Sequence, residues 1–247
     1  MDLPSLWPAR RLACLLQFKS RSQEEPNYLI LSKIYVTINM IMTLDGHIAD
    51  AKGRCQWGSS EDRRRMDILR SRADAVLVTR ATIEKDNPLL VDRRNLYKNR
   101  QPKPVIVIKD TTKSLKLDCH VFHKPHPPGI VASPSNEENL YLPPGWERVC
   151  YQNMTDLAKK LAEKKLYKLL VEGGPTLNSL FLKEDLVNEI RLTLSPLVFA
   201  QKNPRGLFEP IENLPPKRFF LKSAERRKDE LFLRYLKRAR NGKPPLG

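Results

Sequence analysis

The sequence predicts an α/β protein with three layers, α/β/α, around a mostly parallel mixed sheet that ends in a C-terminal antiparallel hairpin. Short uninterrupted apolar segments alternate with helical segments along most of the chain, which is typical of parallel strands covered on both faces. The closing segment "RFFLKSAERRKDELFLRY" predicts two strands around a charged turn. A chain of 247 residues is long enough to bury a substantial core.

The first elements are two strands and two helices. "KIYVTINMIM" alternates and is rich in β-branched residues, which predicts a strand whose even-numbered residues share one face. The loop "TLDGHIADAKGR" follows, and "SSEDRRRMDILRSRA" predicts a helix capped by Ser59 or Ser60. "DAVLVT" predicts a short strand, and "TIEKDNP" predicts a helical turn that Pro88 ends.

The later elements repeat this alternation. "PVIVIKD" and "GIVAS" predict two buried strands. "MTDLAKKLAEKKL" predicts an amphipathic helix and "YKLLVE" the strand after it. A turn at Gly173 and Gly174 then leads into a helix up to about Leu182, and "EIRLTLSPLVF" predicts one long strand.

The two ends of the chain differ from the rest. Residues 1–32 contain three prolines and no sustained period, and they lack the apolar core and cleavage site of a secretory signal. We expect a poorly structured extension there, with a weak transit peptide as the alternative. The folded domain is predicted over residues 33–238, followed by a basic tail at residues 239–247.

The charge balance points to anionic partners. The chain has 44 Lys and Arg against 28 Asp and Glu, a net charge of +16, which suits nucleic acid, a phosphorylated metabolite or a dinucleotide. A solvated basic surface is the alternative. Aromatic residues are only 7% of the chain and do not cluster with the basic runs, so nucleic acid is the least expected of these partners.

Cysteine spacing and apolar length bear on the compartment. The four cysteines lie far apart with no C-x-x-C pair, a pattern that favours reduced thiols in a cytoplasmic protein over a disulfide frame or a zinc site. No apolar run approaches the length needed to cross a bilayer. The three loop histidines His120, His123 and His126 lack enough nearby partners to form a metal site, so we expect no metal.

The stretch "KLLVEGGPTLNSLF" breaks from strand to helix at two adjacent glycines. Glycine allows positive φ and close approach of another group, and Pro175 suits the first helical position. The amides at the start of the helix then form a natural seat for an anion. The alternative is a tight turn that closes a βα unit.

Three segments in order resemble the RibD C-terminal family, the reductase domain of riboflavin biosynthesis, which has the dihydrofolate-reductase fold. They are "TLDGHIA", "RSRADAVLVTRATIEKDNPLLVDRR" and "LLVEGGPTLNSLFLKEDLVNEIRLTLSPLVF", and the resemblance covers about Lys33 to Arg238. It implies that NADPH reduces a ribosylamino-pyrimidine 5′-phosphate to its ribitylamino form in a homodimer. The family binds NADPH without G-x-G-x-x-G, and this chain has none.

The resemblance implies cofactor contacts in three places. Ile41 and Trp57 match positions beside the nicotinamide or its ribose. Thr82 and Asp86 would hold the cofactor through hydroxyl and carboxylate contacts, with helix capping as the alternative. The glycine turn would hold the phosphates or the linking ribose through Gly173, Gly174, Pro175, Thr176, Leu177 and Asn178.

The substrate positions that the resemblance implies are Cys55, Arg70, Leu90, Arg93 and Glu172. Arg70 and Arg93 suit the 5′-phosphate, because a guanidinium binds phosphate in a bidentate way. The alternatives are a helix-end cation and a solvated loop residue, and adjacent Arg94 is an equally good chemical candidate. Glu172 would accept hydrogen bonds from the pyrimidine edge or the open sugar, with a helix cap as the alternative.

Two motifs depart from the family pattern. Family members often have Gly-x-Gly-Thr where this chain has Thr79-Arg80-Ala81-Thr82. Many show W-I-T-S where this chain has "WGSS". The first departure removes two flexible positions near the expected cofactor.

Several functional questions stay open at this level. No catalytic acid is evident: Asp45 is expected to shape the turn with Gly46, and His47 is a single loop histidine. The H-x-E and P-C-x-x-C signature of a deaminase is missing, so we expect a reductase without its own deaminase domain. The pyrimidine is either the deaminated aminouracil or its 2,5-diamino precursor. The alternatives are a dihydrofolate or pterin reductase and a non-catalytic nucleic-acid-binding relative.

Overall fold

The computed structural model of the protein describes residues 29–55, 57–96, 100–109, 115–123, 127–134, 141–202 and 205–238. Most of the predicted N-terminal extension, His126 and the basic tail therefore lie outside the described residues. Residues 29–33 form a helical turn, and Ile30 and Leu31 pack against the larger hydrophobic core.

A single nine-stranded sheet forms the middle layer, in the order β5-β4-β3-β2-β6-β1-β7-β9-β8. The strands are β1 Tyr35–Met42, β2 Ala75–Thr79, β3 Lys103–Val107, β4 Ile130–Ser133, β5 Glu147–Cys150, β6 Lys168–Val171, β7 Val187–Leu194, β8 Phe219–Arg227 and β9 Glu230–Lys237. Strands β1 to β7 pair in parallel. The β8–β9 hairpin joins β7 in antiparallel pairing, so the predicted mixed sheet is confirmed.

Besides the helical turn at residues 29–33 and a 3₁₀ helix at His120–Phe122, four α-helices of the described residues cover the two faces: α1 Ser60–Arg72, α2 Arg80–Asp86, α3 Met154–Glu163 and α4 Pro175–Lys183. Strand β2 shows the three layers, because its residues point alternately into two cores. Leu77 joins the larger core, which α3 and α4 cover. Val76 and Val78 join the smaller core on the other face, with Ile83 of α2.

The sequence predicted strand ends less well than strand positions. The predicted strand "EIRLTLSPLVF" is wrong beyond Leu194, where β7 ends, because Pro196 lacks the amide that a ladder needs. Strand β5 was missed altogether. It lies at the edge of the sheet, pairs only with β4 and buries only Val149, so it lacks the continuous apolar run of its neighbours.

None of the helices in the described ranges has the length and apolar character to span a bilayer.

The carboxyl ends of β1, β2 and β6 lie at one edge of the sheet, since these three strands are parallel neighbours. In open α/β sheets, ligands bind at this edge.

Candidate active site

A cavity of about 460 Å³ opens at this edge. All five expected substrate residues and three expected cofactor residues line it: Cys55, Arg70, Leu90, Arg93 and Glu172, with Ile41, Thr82 and Asp86. A larger groove of about 670 Å³ lies elsewhere, beside Tyr35 and Glu189, and contains none of the expected residues. The smaller cavity is therefore the candidate active site.

The floor of the cavity carries a buried ion pair between α1 and the end of β6. Arg70 Nη2 lies 2.7 Å from Glu172 Oε2, and Arg70 Nε lies 3.2 Å from the same oxygen. The Arg70 side chain is 5% exposed and that of Glu172 is 8% exposed. Arg70 Nη1 also donates to the carbonyl of Val91 at 3.2 Å. Arg70 is therefore not a solvated helix-end cation, and its guanidinium is bound to Glu172.

Arg93 stands at the wall of the cavity and is more accessible. Its Nε donates to Asp67 Oδ1 at 3.0 Å, and its side chain is 37% exposed. Buried Asp92 shapes the loop by accepting from the amide of Arg94 at 3.0 Å. Arg93 lines the cavity and Arg94 does not, so the structure separates these two adjacent arginines.

Cys55 and Asp86 are neighbours in the lining of the cavity. The Cys55 thiol hydrogen-bonds the Asp86 carboxyl, and burial together with the negative charge of Asp86 raises the pKa of Cys55 to about 12. Burial also raises the pKa of Asp86, while the hydrogen bond from Cys55 opposes that rise. At neutral pH, Cys55 is therefore a protonated thiol that donates a hydrogen bond, not a nucleophile.

The start of α2 explains how the chain manages without the family's two glycines. Thr79 caps this helix, because its side chain accepts from the Thr82 amide at 3.3 Å. The hydroxyl of Thr82 lies 3.0 Å from that of Thr79, and Thr82 lines the cavity. Neither Thr79 nor Ala81, which stand at the two glycine positions, has a positive φ, so side chains are tolerated here.

The two glycines of the β6–α4 turn meet different surroundings. A Cβ on Gly173 would lie 2.9 Å from both the Thr79 amide nitrogen and Val78 Cα. A Cβ on Gly174 would meet no atom within 4 Å. Neither glycine has a positive φ. Gly173 is thus required where two turns approach closely, whereas Gly174 faces open space at the start of α4.

In the first turn of α4, the groups that remain for a ligand belong to the backbone, because the side chains are buried or bonded within the protein. Leu177 is 1% exposed and Asn178 is fully buried. Asn178 Nδ2 donates to the carbonyl of Leu207 at 2.9 Å, and Thr176 donates its hydroxyl to Glu209. The amides of Leu177 and Asn178 both donate to Gly174. Within the described residues, the Thr176 amide has no acceptor, so it is one donor that remains for an anion.

Trp57 lies outside the wall of the cavity, in a separate pocket of about 250 Å³. Its ring contacts Phe199 edge to face at 4.9 Å. The Trp57 Nε1 atom is buried and has no acceptor in the described part of the chain. Of the expected nicotinamide neighbours, Ile41 therefore lines the cavity, and Trp57 lies behind it.

Asp45 ties the loop after β1 to the loop after β7. Its Oδ2 accepts from the amides of Phe199 and Ala200 at 3.0 and 2.8 Å, and its Oδ1 accepts from the Thr43 hydroxyl at 2.6 Å. These bonds, above all that from Thr43, lower the pKa of Asp45 to about 2. Asp45 thus does more than shape its own turn.

The model of the RibD C-terminal domain matches residues 34–233. The chain belongs to the RibD C-terminal domain family. A RibD of Aquifex aeolicus is 30% identical over 193 residues, covering 76% of this chain and 53% of the relative. The chain thus spans about half the length of the first curated relatives that it matches.

A shorter relative matches over most of its own length. It is the 2,5-diamino-6-ribosylamino-4(3H)-pyrimidinone 5′-phosphate reductase of Methanothermobacter thermautotrophicus, 30% identical over 71% of this chain and 83% of the relative. Among solved structures, a bifunctional deaminase/reductase of Thermotoga maritima superposes with a TM-score of 0.71 at 28% identity, covering 83% of this chain and 56% of that one. The Saccharomyces cerevisiae riboflavin biosynthesis reductase gives a TM-score of 0.61 at 20% identity, covering 82% of this chain and 89% of that one, which shows a shared fold.

Sequence reasoning missed several residues of the cavity wall. Arg63 and Met66 of α1 line it beside Arg70, and their spacing of three and four residues places all three on one helix face. Asn39 of β1 lines it as well. Arg63 and Met66 could have been predicted from Arg70, because residues one and two helical turns before it lie on the same face of α1.

Proposed function

We propose that the protein is an NADPH-dependent reductase that converts a ribosylamino-pyrimidine 5′-phosphate to its ribitylamino form in riboflavin biosynthesis. The observation that carries this proposal is the gathering of eight expected ligand-binding residues around one cavity. The pyrimidinone 5′-phosphate reductase among the relatives supports the same reaction.

The cavity suits a reduction that depends on positioning. NADPH, when bound, supplies the hydride that adds to the first carbon of the opened sugar. Glu172, held by Arg70 at 2.7 Å, orients the pyrimidine or the sugar hydroxyls by accepting hydrogen bonds. Buried Ile48 and Leu90 help to keep water from the reacting carbon. Holding two reactants in a reactive geometry lowers the barrier without a dedicated catalytic group.

Several features of the chain fit a dinucleotide. The Thr176 amide and the open side of Gly174 can receive a phosphate at the start of α4. The Thr82 hydroxyl and the Asp86 carboxyl line the cavity. The choice of NADPH over NADH follows the family.

Binding and turnover together test this function. NADPH titration followed by nicotinamide fluorescence should saturate, and NADPH should be consumed with the diamino or the deaminated pyrimidine phosphate. Dihydrofolate should give no turnover, because the guanidinium of Arg93 at the cavity wall favours a phosphorylated substrate. Failure to bind NADPH would contradict the proposal. Binding of nucleic acid that weakens steeply with salt, without NADPH binding, would favour the non-catalytic alternative.

We further propose that the protein acts as a homodimer in the cytoplasm. Within the described residues, Cys55, Cys119 and Cys150 are free thiols, as expected in a reducing compartment. Leu197 and Val198, 39% and 61% exposed, form an apolar surface after β7 that suits a subunit contact.

A further inference from the structure

Three arginines line the cavity, and two of them form ion pairs with carboxylates. Arg70 pairs with Glu172 and Arg93 pairs with Asp67. Arg63, also on the wall, is exposed and pairs with no carboxylate among the described residues. Arg63 is therefore the cation of the cavity whose charge is left for a ligand.

The three guanidinium groups also differ in the donors that remain. In Arg70, each of the three nitrogens already donates to Glu172 or Val91. Arg63 uses Nη1 to donate to the carbonyl of Gly58 at 2.5 Å, which fixes the group and leaves Nε and Nη2 without a protein acceptor in the described part of the chain. In Arg93, Nη1 is likewise without one there.

The Arg93 side chain contacts the backbone of Arg63 at the wall of the cavity. Nη2 of Arg93 lies 3.4 Å from the carbonyl oxygen of Arg63, and buried Asp67, one turn further along α1, holds Arg93 from the other side. Two guanidinium groups that line one cavity, are each held by a protein contact and keep free donors suit a doubly charged phosphate.

We propose that Arg63, together with Arg93, binds the 5′-phosphate of the substrate and determines specificity for phosphorylated pyrimidines, whereas Arg70 positions Glu172. This inference rests on the proposed function, since it names the phosphate subsite of the same cavity. It changes the expected role of Arg70, whose buried charge is balanced by the carboxylate of Glu172. It also adds a residue that the family resemblance did not indicate.

The test compares Arg63→Gln with Arg64→Gln as a matched control. Arg64 follows on the same helix, is exposed and lines a different pocket. For each variant, kcat/KM is measured with the pyrimidine ribosylamine 5′-phosphate and with the same compound lacking the phosphate, and the NADPH Kd is measured by fluorescence. Arg63→Gln should lower kcat/KM about 10- to 100-fold with the phosphorylated substrate only, as expected for lost hydrogen bonds between charged groups.

Two further variants distinguish a loss of phosphate recognition from a folding defect. Arg63→Lys should recover part of the loss, and Arg64→Gln should behave as the wild type with both substrates. Equal losses with both substrates, or a raised NADPH Kd in Arg63→Gln, would overturn the assignment of the substrate phosphate. An active wild type with an unchanged Arg63→Gln would overturn this inference alone. A wild type without turnover would overturn the proposed function itself.

Discussion

Gly173 and Gly174 are adjacent, yet the structure constrains them for different reasons. Gly173→Ala should lower the free energy of unfolding by about 1–3 kcal/mol, because its methyl group would be forced into a packed turn. The close atoms are the Thr79 amide nitrogen and Val78 Cα, both at 2.9 Å. Gly174→Ala, where the added carbon meets nothing within 4 Å, should change stability little. Urea denaturation of both variants measures this difference.

A larger side chain at Gly174 tests the cofactor side of the same turn. Gly174→Val should raise the NADPH Kd sharply and leave the protein folded, because a branched group at the start of α4 would cover the Thr176 amide that a phosphate is proposed to contact. Fluorescence titration with NADPH measures the Kd, and urea denaturation of the same variant checks that it is folded. An unchanged Kd in Gly174→Val would contradict a phosphate seat at this turn.

The Arg70–Glu172 pair makes a further prediction at the residue scale. Arg70→Met should lower the free energy of unfolding by about 3–5 kcal/mol, because it leaves the Glu172 carboxylate buried without its partner. The double variant Arg70→Met/Glu172→Gln should recover much of that loss, since no unpaired charge remains. Additive losses in a double-mutant cycle, measured by chemical denaturation, would show that the two side chains are not coupled.

At the scale of elements, the contact between the loops after β1 and β7 depends on the charge of Asp45. The pKa of Asp45 is lowered to about 2 by hydrogen bonds from Thr43, Ala200 and Phe199. A carboxyl with a lowered pKa stabilises the fold above its ordinary range near pH 4, and this contribution is lost as the pH falls through about 2. Asp45→Asn should therefore be less stable than the wild type at pH 7, and the two proteins should converge near pH 2.

Unfolding curves at pH 7, 5, 3 and 2 measure this convergence. Asp229→Asn, in the exposed turn between β8 and β9, serves as a control for the loss of one negative charge. A stability difference for Asp45→Asn that stays constant over this pH range would contradict the role of the ionised carboxylate.

Strands with a continuous apolar run could be predicted from the sequence. Elements whose position depends on contacts with neighbouring strands or loops could not. Strands such as β2 are buried on both faces and carry a continuous apolar run. Strand β5 buries only Val149, so its existence depends on the exposed edge of β4. The end of β7 depends on Pro196 and on the backbone bond from the amide of Leu44 to the carbonyl of Leu197, a contact between distant segments.

At the scale of the whole molecule, the sequence predicted eight of the residues that line the candidate cavity, but not the tertiary contacts on which their roles depend. The turns that carry Cys55, Thr82, Leu90 and Glu172 have recognisable local sequences, and the fold brings them to one cavity. Whether an arginine is free to bind a ligand depends on its tertiary ion pairs, as the contact of Arg70 with Glu172 shows. Pairing between residues that are 102 positions apart has no local sequence signal.

The proposed homodimer is also a property of the whole molecule. The exposed Leu197 and Val198 should lie at the subunit contact, so Val198→Asp should shift the protein from dimer to monomer by introducing a charge into an apolar interface. Sedimentation velocity across a range of protein concentrations measures the change. The control is Tyr141→Asp, at an exposed position in the loop before β5. A wild type that remains monomeric at all concentrations would contradict the proposed dimer.

We propose that one cavity binds both the nicotinamide and the sugar of the pyrimidine phosphate, so that hydride would pass directly from one to the other. The most direct measurement uses NADPH that carries deuterium at nicotinamide C4, with each of the two stereochemical forms tested separately, and mass spectrometry of the product. We predict that one form transfers a single deuterium to the first carbon of the ribityl chain and that the other transfers none. Product without deuterium from either form, or no product at all, would contradict the account.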